Sequence, residues 1–183
     1  IDIVELRPIE DSLEERVNMR IGAGYSYQKS SKIASFSINS DFSYQDEKGV
    51  TGMSGRSTRT DNDGETDQSN RYRISREMWT RRPGLVRWFD GSYEDNDEMN
   101  LDYRFTTGFG LGRAIVDTNR QSLVGYLGLQ AVTEREGGDN TVHSAEGVLG
   151  TSYDLWQFDT PEVDLQFELT LYPGLTESGR LRS

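Results

Sequence analysis

The sequence predicts an all-β protein, an antiparallel up-and-down meander that forms a transmembrane β-barrel. Two long runs within Asn100 to Thr133, joined by Val116 to Arg120, alternate apolar residues with polar residues or glycine. Side chains alternate across a strand with a period of two, so each run is a strand with one apolar face. Each run has about ten or more residues, near the length that a tilted strand needs to cross a bilayer. Hairpins of this kind are the repeating unit of transmembrane barrels.

The amino-acid composition excludes several classes of function. The chain has 183 residues, with 31 acidic against 20 basic residues and a formal net charge of −11. An acidic surface repels phosphate backbones, so no nucleic-acid partner is expected. The sequence has no cysteine, which excludes disulfides and thiolate chemistry. It also lacks a run of about 18 apolar residues, which a transmembrane helix would need.

Taken in order, the chain divides into an N-terminal stub and connector, residues 1–15, and a barrel domain, residues 16–183. Alternation begins at Val17 and continues to Tyr44, interrupted by the turn Lys29 to Lys32. The third strand, Val50 to Thr60, has few apolar residues, and a polar loop is expected from Asp61 to Asn70 before the fourth. These two strands are the weakest part of the barrel pattern.

The second half carries the clearer strands. Pro83 and Gly84 indicate a turn before a strand from Leu85 to Tyr93. Further strands are expected near Ala145 to Trp156 and from Glu162 to Leu171, where the alternation is cleanest. The total is about nine strands and the start of another, with neighbours paired in sequence order because short connections favour antiparallel pairs.

Loop lengths predict a topology, because outer-membrane barrels have short periplasmic turns and longer external loops. With the N-terminus on the periplasmic side, the two sets of connections should lie at opposite ends of the sheet, and the outer ones, except the first, should be longer. The inner turns would be Gln45 to Gly49, Arg81 to Gly84, Asp117 to Gln121 and Gln157 to Glu162. The outer loops would be Lys29 to Lys32, Asp61 to Asn70, Glu94 to Asn100, Glu134 to Thr141 and Pro173 to Gly179.

The segments that point to a family are Leu171 to Arg180, Asn100 to Arg104 leading into Gly108 to Gly112, Asp117 to Arg120, Tyr25 to Tyr27 and Asp159 to Pro161. They resemble the salt-induced outer-membrane protein family, also described as domain of unknown function 481. The similarity extends from about Val17 to the end. It implies a β-barrel in the outer membrane of a Gram-negative-type bacterium, and it implies no catalytic residues. Family members continue with a few further strands, so the barrel domain is expected to lack its last strands.

Three local motifs offer chemistry, and each has a simpler structural interpretation. Gly108 to Arg113 has the glycine spacing of a dinucleotide loop, but it lies inside an alternating strand rather than before a helix. Asp61 to Asp67 has the oxygen ligands of a calcium loop, yet Arg59 and Asn70 would occupy the first and last ligand positions. His143 is the only histidine, and the residues around it do not form a nucleophile turn. We therefore expect no catalytic, cofactor-binding or metal-binding residues, no cofactor and no enzymatic activity.

Charges on the polar parity are the candidate functional residues. If the apolar faces point outwards, opposite charges line the lumen, where they either pair and fill it or surround a small polar pore. These candidate lumen residues are Arg20, Arg71, Arg73, Arg104, Asp41, Asp102, Asp164 and Glu168.

Two functions from different classes remain open. The first is a non-enzymatic outer-membrane barrel, with membrane lipid as its partner and an envelope or stress-related structural role or passage of small solutes. The alternative is a soluble or peripheral β-sheet module that binds a partner or its own copies, as a homo-oligomer, through its sheet edges or apolar face.

Overall fold

The computed structural model describes residues 16–29, 32–138, 140–157, 163–176 and 181–182, and they form one antiparallel sheet in which every strand pairs with its neighbours in sequence. The predicted meander is therefore confirmed, including a short tenth strand. No helix within these described residues is long and apolar enough to cross a membrane. The strands are β1 (Val17–Gln28), β2 (Ile33–Asp46), β3 (Gly49–Asn62), β4 (Glu65–Trp79), β5 (Leu85–Asn96), β6 (Leu101–Asp117), β7 (Gln121–Glu136), β8 (Val142–Gln157), β9 (Val163–Pro173) and β10 (Leu181–Arg182).

The pairing register separates the residues into two faces of opposite character. Side chains directly opposite each other on paired strands lie on the same face of a sheet. One row of partners runs Arg20, Asp41, Ser54, Arg73, Ser92 and Thr106, and the row beside it runs Met19, Phe42, Met53, Ile74, Gly91 and Thr107. We call the face of the first row the polar face and the face of the second the apolar face.

Burial on the two faces is the reverse of that in a soluble protein. On the polar face Glu134 and Glu146 are only 8% and 3% exposed, and Val132 and Val148 are buried beside them. On the apolar face Phe109 is 63% exposed and Leu127 58%. Soluble chains rarely bury carboxylates, and they rarely expose contiguous apolar patches of more than a few hundred Å². The polar face is therefore the inner face of this sheet.

Strong curvature produces this burial. Arg73 on β4 and Tyr172 on β9 line one cavity of about 450 Å³. In a flat sheet these strands, five steps apart, would lie about 24 Å from each other. The sheet therefore curls around its polar face. Among the described residues β1 pairs only with β2, and β9 pairs with β8 and, at its end, with β10, so the predicted barrel is an open sheet here.

The loop predicted from Asp61 to Asn70 is wrong. β3 continues to Asn62 and β4 begins at Glu65, so Asp63 and Gly64 alone make the turn. Their φ angles are 51° and 99°, which is the left-handed region that a two-residue type I′ hairpin requires. Asp-Gly is a strong signal for that turn, and the polar composition of the flanking strands obscured it.

The predicted difference in connection length is also wrong. The outer connections at residues 63–64 and 97–100 are shorter than the inner connection at residues 80–84, and the outer connection at residues 137–141 has the same length. The strands themselves continue into the polar segments that the sequence assigned to loops, because cross-strand hydrogen bonds extend to each turn. The stub at residues 1–15 lies outside the described residues, as does most of the predicted turn Gln157 to Glu162.

Replacing Gly64 by alanine tests the turn. A Cβ at Gly64 meets no atom within 4 Å, so the only cost is the left-handed backbone. We expect Gly64→Ala to lower the free energy of unfolding by about 1 kcal/mol, measured by urea titration of the refolded protein in detergent micelles. Gly22→Ala is the matched control, because Gly22 has the same open space and an extended backbone within β1. An equal loss in both variants would contradict the turn assignment.

Candidate binding cleft on the polar face

Glycines on β6 and β7 make room for one large aromatic side chain. Trp88 on β5 is opposite Gly110, which is itself opposite Gly128 on β7. A Cβ added at Gly110 would lie 2.6 Å from Trp88 Cζ2, and one at Gly108 would lie 3.3 Å from Cζ3. The six-membered ring of the indole therefore lies across glycines of two neighbouring strands. Glycines inside a strand commonly mark such a close approach.

Tyr126 on β7 repeats the arrangement two strands further on. Its ring occupies the space where a Cβ of Gly150 would lie. Its hydroxyl donates to Glu168 Oε1 at 3.2 Å and also contacts the Thr170 hydroxyl on β9. The tyrosine thus crosses β8 and ties β7 to β9.

These aromatic rings form part of the wall of the 450 Å³ cavity. Besides Trp88 and Tyr126, the cavity is lined by Arg73, Asp90 and Glu168, among others. Its volume is within the range of small-molecule sites, which is about 300–1,000 Å³. Among the described residues, the indole Nε1 of Trp88 is the buried side-chain nitrogen or oxygen that has no hydrogen-bond partner. The cavity thus combines aromatic surface, charge and one unused donor nearby.

Three of the predicted arginines are paired with carboxylates across strands. Arg73 Nε donates to Asp90 Oδ2 at 2.6 Å, and Arg71 pairs with Glu94. Arg104 Nε donates to Glu134 Oε2 at 2.8 Å, and its two terminal nitrogens lie 3.9 Å from Glu94 Oε2 and 3.8 Å from Glu136 Oε1. Such pairs let charges occupy a partly buried surface that would otherwise penalise them.

The remaining predicted charges have more varied surroundings. Arg20 and Asp41 are register partners and line a second cavity of about 400 Å³, which Arg73 also lines. Glu168 contacts Tyr126 as described, and Asp164 is an exposed residue of the same strand. Asp102 lies at a bulge in β6, where its Oδ2 accepts from Arg135 Nε at 2.8 Å and from the backbone of Gly138.

An ion pair lies on the apolar face at the β2–β3 turn. Arg76, which also borders the cavity, donates to both carboxylate oxygens of Asp46 at 3.1 and 2.9 Å. This hydrogen-bonded guanidinium lowers the pKa of Asp46, and the backbone N–H of Lys48 acts in the same direction. Asp46 therefore stays ionised next to Arg76 down to a lower pH than an ordinary aspartate.

The structure shows where the glycine-rich, acidic and histidine motifs of the sequence lie. Gly108 to Arg113 lies inside β6, and Asp61 to Asp67 is the hairpin end of β3 and β4. His143 Nδ1 is 3.0 Å from Thr133 Oγ1 on the apolar face, whereas Ser144 is opposite Val132 on the polar face. Within the described residues there is no group of three or more potential metal ligands.

Sequence reasoning did not single out Trp88, Tyr126, Asp90 or Glu146. Trp88 and Tyr126 lie on the polar face. The sequence showed aromatic residues on both parities of the strand from Leu85 to Tyr93, but it did not indicate that Trp88 would line a cavity. The available signal was the coincidence of these bulky residues with glycines on the same face. Glu146, which accepts from Gln130 Nε2 at 2.7 Å, had the parity of a candidate charge.

Removing Arg104 tests whether the paired charges stabilise the curled sheet. Arg104→Met leaves Glu94, Glu134 and Glu136 without their shared cation, although Arg104 is 27% exposed and solvent offsets part of the loss. We expect the free energy of unfolding to fall by about 1–3 kcal/mol in urea titrations. Arg56→Met is the control, because Arg56 is exposed on the same polar face and, within the described part of the chain, it donates to the Asn39 amide without an ion pair. It should change stability by less than about 0.5 kcal/mol. Equal effects would show that the pairs do not contribute.

Comparison with known proteins gives one match. Residues 21–181 match the family described as "Protein of unknown function, DUF481". No curated protein and no solved structure matches the chain. Because the family match covers most of the 183 residues, the chain belongs to the DUF481 family of proteins of unknown function.

Proposed function

We propose that this chain forms the wall of a transmembrane β-barrel in the outer membrane of a Gram-negative-type bacterium. Its role is non-enzymatic: it contributes to the envelope, including its response to salt stress, and its polar face lines a path for small solutes. The observation that carries this proposal is the reversed burial of the two faces. Glu134 and Glu146 are buried on the inner face, while Phe109 and Leu127 are exposed on the outer one. Lipid is the partner that favours such an outer surface.

The position of the apolar residues along successive strands supports this proposal. On β1 the midpoint of the apolar residues is near Gly22, and the register partners of Gly22, followed from strand to strand, lead to Glu134 on β7. On β9 the midpoint is near Phe167, and its register partners lead to Leu123 on β7. The two midpoints are therefore displaced from each other by eleven positions along the strand direction. With a rise of about 3.3 Å per residue and a strand spacing of about 4.8 Å, this drift over eight steps inclines the apolar band by roughly 43° from the perpendicular to the strands. Strands that hold such a band level in a membrane are tilted by the same angle from the membrane normal. Strands of outer-membrane barrels are tilted by about 35–45°.

The arginines on the apolar face most need an explanation. They include Arg59, Arg76, Arg87 and Arg113, and each of these lies within four positions of the end of its strand. Arg76 is a register partner of Phe89 and Thr51 on that face, and a lipid-facing arginine costs about 2–4 kcal/mol at the midplane. Its guanidinium reaches Asp46 at the turn between β2 and β3, so the charge is paired near the end of the strands. Long basic side chains commonly extend to the membrane interface in this way.

The open sheet favours the alternative function. Among the described residues, β1 has one unpaired edge along Val17–Gln28, and such an edge pairs readily with another chain. In that case the chain would be a soluble or peripheral module that assembles through its edges or its apolar face. The inclination of the apolar band does not follow from this alternative, and we therefore prefer the membrane proposal.

Cysteine labelling of intact cells tests the membrane topology. The chain has no cysteine of its own, so each introduced thiol is the only one. Glu98 lies in the connection after β5, and Asn119 lies in the turn after β6 at the opposite end of the sheet. Both are exposed. We expect Glu98→Cys to react with a membrane-impermeant maleimide in intact cells and Asn119→Cys to react only after lysis.

Two other outcomes would each be decisive. Reaction of Asn119→Cys alone would keep the barrel and invert its orientation. Equal reaction of both variants in intact and lysed cells would contradict the membrane proposal and support the soluble module. Total labelling of detergent-denatured samples controls for expression.

A further inference from the structure

We infer that the cavity between β4 and β9 is a binding site for a small organic cation that carries an ammonium group. The inference rests on the proposed solute path and names the class of solute that this path recognises. The inference depends on six of the residues that line the cavity, which are Arg73, Glu77, Trp88, Asp90, Tyr126 and Glu168.

The two aromatic rings lie in space that glycines on neighbouring strands leave open. Trp88 lies across Gly110 and Gly128, and Tyr126 lies over Gly150. Each ring therefore has one side against the backbone, and both residues also line the cavity. The faces of aromatic rings are negative and attract cations, most strongly for tryptophan and where water is displaced. Such rigid rings form a floor that a cation can contact without further side-chain ordering.

Carboxylates flank this aromatic floor. Glu77 on β4 is the register partner of Trp88, and it is exposed on the polar face. At the other side Glu168 on β9 contacts the hydroxyl of Tyr126 at 3.2 Å. A cation over the two rings would thus have a negative charge on either side.

The arginines that line the cavity do not cancel this charge. Arg73 pairs with Asp90 at 2.6 Å, and Arg76 pairs with Asp46 at 2.9 Å. Arg73 is also attracted by Glu168, but the lining has three carboxylates, Glu77, Asp90 and Glu168, against two arginines, so the cavity has a net negative charge. An anion would be repelled, and a neutral solute would make no use of the two carboxylates.

Choline and its neutral isostere, 3,3-dimethylbutan-1-ol, test the inference on the unmodified chain. Both have the same shape, so only the positive charge differs. We expect choline to bind the refolded protein in lipid vesicles at least about tenfold more tightly than the alcohol, measured by isothermal titration calorimetry. Equal affinity, or no choline binding, would overturn the inference.

Variants that remove one carboxylate charge from the cavity test whether choline binds there. Glu168→Gln keeps an acceptor for Tyr126 while removing the charge, and Glu77→Gln removes the charge at the opposite side. We expect each to weaken choline binding about fivefold or more. Asp164→Asn is the matched control, because it makes the same charge change on β9 outside this cavity lining, and it should leave affinity within about twofold. Unchanged affinity in both glutamate variants, with an unchanged circular-dichroism spectrum, would contradict the site.

The same vesicles separate this inference from the membrane proposal. Protease protection of the vesicle-bound chain reports insertion, independently of choline. A chain that inserts but binds choline no better than the alcohol disproves the cation site alone. A chain that binds choline in detergent but never inserts disproves the membrane proposal and leaves the cation site standing.

Discussion

Pairing of charges across strands is the constraint on which the curled sheet depends. The inner face carries arginines and carboxylates, and bringing them together as the sheet curls removes part of their hydration. The cost is large at Glu134, which is nearly buried, and small at Arg71 and Arg73, which stay mostly exposed. Arg71, Arg73 and Arg104 each lie next to a carboxylate on a neighbouring strand. These contacts allow the polar face to become the inner face. The apolar residues are consequently left on the outside.

The glycines determine how tightly the sheet can curl. At Gly110 and Gly128 the backbones of β6 and β7 approach so closely that a Cβ on either would meet a carbonyl oxygen of the other strand. Trp88 fills the inner space above them, so this close approach leaves no void. Packing and electrostatics therefore act on the same surface: aromatic rings cover the glycines while paired charges surround them. A cavity results from this combination without any loop or insertion.

Alternation of residue type was sufficient to predict the strands, their order and their antiparallel pairing, because side-chain parity is a local property of the backbone. It was not sufficient for features that depend on several strands at once. The curl that brings Arg73 and Tyr172 to one cavity involves strands five steps apart. The fit of Trp88 over Gly128 depends on register across two pairings. The Asp63–Gly64 turn was local and readable, but the polar composition of β3 and β4 concealed the strands on both sides.

We propose that the apolar face contacts lipid and that the polar face does not. Leu129 and Gln130 are adjacent on β7 and lie on opposite faces. A bimane fluorophore attached to Leu129→Cys or Gln130→Cys, in vesicles containing brominated lipid chains, measures contact with the hydrocarbon directly. If the apolar face contacts lipid, we expect strong quenching at position 129 and little at position 130. Equal quenching at both positions, or stronger quenching at position 130, would contradict the proposal.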